Sequence, residues 1–196
     1  MELSDGLIGV IGTLAGTIVG WALVSLTEWS RLRKAFNVKK KTITLELEDL
    51  NDILKSAEKA TMTECEAYAN NEYRLVTTRP SNLNIPITES YYREIYHLLT
   101  KNERVNIRTF LANLDAYNHN LDNFIGSRSE KRPFIEHLHL RTIVLMYLRV
   151  LIELVYLIKK HGLHHKIDLN SGNILEAKNG VDDYRNKLAR IRDRKG

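Results

Sequence analysis

From Leu7 to Leu26 the chain reads LIGVIGTLAGTIVGWALVSL, with no charged residue. No other stretch restricts the fold as much. Backbone polar groups in hydrocarbon need internal partners, so a run that meets lipid must be helical. At ~1.5 Å per residue it covers roughly 30 Å, the thickness of a hydrocarbon core. Trp21 and Trp29 suit the inner interface, where indoles favour the headgroup layer. Glu2 and Asp5 precede the run, whereas a cleaved signal peptide opens on a basic region. The cations come after it, at Arg31, Arg33, Lys34, Lys39, Lys40 and Lys41. By the positive-inside rule this order predicts an outside N-terminus and a cytoplasmic remainder. The chain therefore divides into an anchor with a basic junction, residues 1–36, and a helical domain, residues 37–196.

The anchor is rich in glycine. Gly12, Gly16 and Gly20 form two overlapping G-x-x-x-G units. On a helix Gly9, Thr13, Gly16 and Gly20 share one narrow stripe, with Gly12 at its edge. Leu7, Ile11, Leu14 and Ile18 lie opposite. Small residues let backbones approach closely, which drives helix association in lipid. The stripe thus predicts a homo-oligomer, and either packs against a neighbour or lines a pore with Thr13 or Thr17 towards water.

Beyond the anchor the pattern is all-α. Ile43, Leu47, Leu50, Leu54, Ala57 and Thr61 alternate spacings of four and three, predicting a helix from Thr42 to about Asn71. TTRPSNLNIPI, residues 77–87, reads as a loop, after which Thr88 is placed to cap a helix to about Leu99. Further helices are expected from Asn102 to Ile125, from near Ser129 to Lys160, and from about Val181 into the basic tail. Pro133 falls in the first turn of the second of these, and Gly162 closes it. Within it, TIVLMYLRVLIELVYLI is apolar nearly all round. A second membrane span would place Arg149 and Glu153 in lipid, at about 2.5–3.5 kcal/mol each. A central core helix with those two paired one turn apart costs less.

Little in the sequence points to chemistry. There is no phosphate loop, no H-E-x-x-H and no C-x-x-C, and the single cysteine, Cys65, reads as packing. His161, His164 and His165 follow the end of a helix, where imidazoles complement its dipole. With only Asp168 nearby they make a poor zinc site, so neither metal nor cofactor is expected. A net charge of +5 is compatible with RNA or anionic lipid, and Lys39, Lys40 and Lys41 suit lipid headgroups. No small-molecule substrate is evident. The remaining pair is Arg132 and His137, in KRPFIEHLH, with His139 as an alternative partner. An arginine and a histidine at this spacing can cleave RNA without metal. The histidine moves a proton at the ribose hydroxyl or leaving oxygen, and the arginine stabilises the phosphate.

A short outside N-terminus, one glycine-rich anchor, a basic junction and a helical domain carrying Arg132-Pro-Phe-Ile-Glu-His137 together form a recognisable build. It resembles the small membrane-anchored accessory proteins of RNA-targeting type VI-B CRISPR systems. The resemblance implies a divergent HEPN-like bundle, a bacterial inner-membrane location and assembly into a pore supporting antiphage defence. It also implies an RNA-guided effector or RNA as partner, and Arg132 and His137 as the residues of the HEPN-like motif. A membrane-tethered ribonuclease and a non-catalytic adaptor are the alternatives.

Overall fold

A computed structural model describes residues 5–70, 81–126, 134–168, 170 and 172–193, with side chains from residue 10 and excluding residue 173. Every regular element among them is helical. These are α1 (Asp5–Asn70), α2 (Pro86–Ile95) with a 3₁₀ turn at Tyr96–Leu98, α3 (Lys101–Gly126), α4 (Phe134–His161) and α5 (Gly172–Asp193). Contacts divide the chain into two compact units, Met1–Lys41 and Thr42–Gly196, and α1 contributes to both.

In the first unit α1 is long and apolar enough to cross a membrane, and none of its apolar window is buried. Val10, Leu14, Ile18 and Trp21 are all exposed. The hydroxyls of Thr17 and Thr27 donate to the carbonyls of Thr13 and Leu23, at 2.9 and 2.8 Å. The helix thus satisfies these hydroxyls from its own backbone, as an apolar medium requires.

The second unit is built around α4, which packs against α3 and α5. Its Leu145, Leu148, Leu151 and Leu154 are fully buried. This is the core helix that the internal charges favoured. The charges themselves pair differently from expectation. Arg149 Nε bonds Glu58 Oε1 of α1 at 2.8 Å, not Glu153. Glu153 Oε2 is buried without a hydrogen-bond partner among the described residues. The α1 seam of Ile43, Leu47, Leu50, Leu54 and Thr61 is buried as its spacing predicts, and it extends to Cys65 and Ala69.

Helix ends show where local reading stops. Pro86 opens α2, and Thr88 is buried inside its first turn rather than capping it. The cap comes from α1: the Glu46 carboxylate accepts the N–H groups of Ile87, at 3.2 Å, and of Thr88. Before α3, the Thr100 N–H donates to Glu103 Oε2 at 2.8 Å and the Glu103 N–H donates to Thr100 Oγ1 at 3.4 Å, a reciprocal capping box. The expected helix start near Ser129, with Pro133, lies outside the described residues. Its end is Gly162, whose φ of +80 suits only glycine and whose N–H donates to Ile158 O at 2.8 Å. Asn106 Nδ2 then donates to the carbonyls of Leu163 and His165, at 2.8 and 2.6 Å. α5 begins at Gly172, well before Val181. Ile174, Val181 and Leu188 are buried at seven-residue intervals on its inner face. Gly180 faces Arg149: a Cβ there would lie 3.4 Å from Nη1.

Candidate functional site

The glycine stripe sits on a bare helix. Around Gly12, Gly16 and Gly20 no heavy atom of the described residues lies within 4 Å of the position a Cβ would take, so no described neighbour explains these glycines. Gly9 lies within α1, ahead of the residues whose side-chain surroundings are described. Thr13 accepts the Thr17 hydroxyl through its carbonyl. After the apolar run, Arg33 Cζ lies 5.0 Å from the Trp29 ring centroid, joining a cation of the basic junction to this indole. Lys39 and Lys40 are half-buried, while Lys41 is exposed.

The motif histidine sits in an aromatic cluster at the start of α4. Arg132 lies outside the described residues. His137 is buried, only 8% exposed, on the first turn of α4. Its ring lies 5.8 Å from Tyr68 of α1, and Tyr68 stacks on Phe134 at 5.1 Å and 7°. One turn further, Arg141 is 7% exposed. Its Cζ lies 3.9 Å from the Tyr68 centroid and 4.6 Å from that of Phe124, and its Nη1 donates to His137 O at 3.4 Å. The guanidinium is thus sandwiched between two rings, in a geometry suited to joining helices α1, α3 and α4. A phosphate has little access to either group. Arg141 was not singled out from sequence, because its ring partners come from other helices. His139 is exposed and accepts from Arg185 Nη1 at 3.1 Å through Nδ1, and Arg185 also pairs with Asp182 at 3.0 Å.

Cys65 is packed with Ala69, Leu138 and Leu188, and burial pushes its thiol up to about 12. It is an inert core group at neutral pH. The three late histidines are exposed; His161 and His165 stack at 4.8 Å. No group of three or more metal-ligating side chains occurs among the described residues. No protein-family model, curated protein or solved structure matches the chain.

Proposed function

We propose that the chain is a single-pass membrane protein that self-associates through its N-terminal helix. The assembly works as a pore or effector accessory to RNA-guided antiphage defence, depolarising or permeabilising a bacterial inner membrane when activated. What carries the self-association is the glycine face of α1, open at Gly12, Gly16 and Gly20 on a helix with an unburied apolar window. Towards lipid such a face makes poor van der Waals contact, and a neighbouring helix backbone fills it. The basic junction favours a cytoplasmic Thr42–Gly196 unit, with Lys39–Lys41 at anionic headgroups. The defence role, the RNA-guided partner and the HEPN-like character of the bundle rest on the architectural resemblance.

The test is the mass of the detergent-extracted particle across concentration, with leakage from reconstituted vesicles. The expected result is an assembly of more than two chains, which Gly16→Leu weakens or renders less leaky. A monomer at every concentration sinks the proposal. An assembly indifferent to Gly16→Leu assigns self-association to the other unit.

A further inference from the structure

Two surfaces of the Thr42–Gly196 unit carry opposite charge, and both expose apolar side chains. The first lies where α2 passes through its 3₁₀ turn into α3. Tyr96 is exposed there, with Arg104 Cζ 5.2 Å from its ring centroid. Arg108 Nη2 donates to its hydroxyl at 3.1 Å. Tyr92 meets it edge-on, centroids 5.4 Å apart. Arg104 Nη1 donates to Leu99 O at 2.7 Å, so this guanidinium is already held in place. Leu98 and Val105 beside it are 51% and 48% exposed, and Arg93 adds a further exposed cation. Ordered tyrosine and arginine next to exposed aliphatic groups is the composition of a protein–protein contact centre.

The second surface is the outward face of α1 in the same unit. Asp49 and Asp52 are exposed and Glu48 half-exposed, between exposed Leu45 and Ile53. None of the three carboxylates is ion-paired among the described residues. Glu46, which reaches α2, is two residues from Glu48 and so about 200° round the helix from it. Glu48 therefore points away from α2 and its basic patch. Both patches lie at the same end of the unit. α1 runs antiparallel to α4, with Glu58 at Arg149 and Tyr68 at Arg141, so residues 48–52 lie level with the last turns of α4. The start of α3 is tied to the backbone just after α4 through Asn106.

Opposite charges on different faces, at one end, fit a head-to-tail contact. Copies anchored in one membrane share their orientation, so such patches meet at equal height. A head-to-tail contact closes into a ring when its rotation allows. We infer that the Tyr96–Arg108 patch of one copy seats on Glu48 and Asp52 of a second copy. This rests on the self-association proposed above and adds its contact outside the lipid. Single-stranded RNA is the rival occupant of an arginine–tyrosine surface, but it leaves the aliphatic rim and the acidic face without a role.

The experiment uses the full chain in detergent, with assembly measured by light scattering and folding by circular dichroism. One variant carries Arg93→Glu with Arg108→Glu, and another Glu48→Arg with Asp52→Arg. Each alone is expected to need about tenfold more protein to assemble. The two co-expressed restore assembly, because each now offers only the sign that the other lacks. A single chain carrying all four changes does the same, and where a double variant fails to fold, Arg108→Glu alone or Asp52→Arg alone takes its place, with loss of assembly again expected. Variants that assemble like the wild type overturn the contact while leaving self-association intact. Loss without rescue overturns the pairing. A wild type that is monomeric throughout refutes the self-association itself. Tight RNA binding abolished by the arginine changes gives the patch to RNA and overturns the inference.

Discussion

Cys65 is enclosed by Ala69, Leu138 and Leu188, and its thiol ionises in the unfolded chain near the ordinary 9.0 but in the fold only at about 12. Above pH 9 the unfolded state therefore loses a proton that the folded state keeps, and stability falls as pH rises towards the folded value. Burial also raises Tyr117 from 10.0 to about 12, and burial first and the Cys65 charge next push Tyr184 upward, so all three act in one direction. Urea unfolding should show stability declining between about pH 9 and pH 12, with a shallower early decline in Cys65→Ala. An unchanged early slope would remove the thiol from this account. The packing role of Cys65 was legible in sequence, because an apolar seam runs through ECEAY. The setting of His137 was not, since Tyr68, Phe124 and Phe134 come from three helices. Buried there, His137 is expected to serve packing. Purified protein should leave single-stranded RNA largely intact, and robust cleavage abolished by His137→Ala would restore the ribonuclease alternative.

Among the elements, α4 was the most legible, because a helix apolar on nearly every face with two internal charges has few inexpensive settings. Leu145 and Leu148 are both 0% exposed. Leu145→Ala and Leu148→Ala should each destabilise the unit by about 2–5 kcal/mol in chemical unfolding, by lost transfer energy and an incompletely relaxed cavity. Losses well under 1 kcal/mol at both sites would mean that the helix does not carry the core. The partner of Arg149 was not legible: a one-turn spacing to Glu153 is visible locally, whereas Glu58 reaches it only through the packing of α1 on α4. The same holds for α5. Gly180 and the polar residues around it hide the interval of Ile174, Val181 and Leu188, which becomes evident once α4 is there to receive it. The loop after α4 shows the converse, since Gly162 alone signals its left-handed turn.

At the scale of the whole chain, charge order carries most of the legible information. The cations from Arg31 to Lys41 follow the apolar run, so a reporter fused after Gly196 should behave as cytoplasmic. A reporter active only outside would invert the topology and remove the proposed partners with it. The apolar helical segment at the N-terminus was also legible, and the contacts divide the chain between Lys41 and Thr42. Surface pairing was not legible, because the arginines and tyrosines of α2 and α3 become one patch only when the two helices fold back on each other. The Glu46 cap has a kinetic consequence for that patch. α2 is held at its start by one carboxylate from another helix, so the amide protons of Ile87 and Thr88 exchange with solvent only when that grip opens. These two amides form a natural gauge of local opening. Their deuterium uptake reports how often α2 lifts away while the rest of the unit stays closed, and a partner seated on its far end would slow that uptake without touching Glu46.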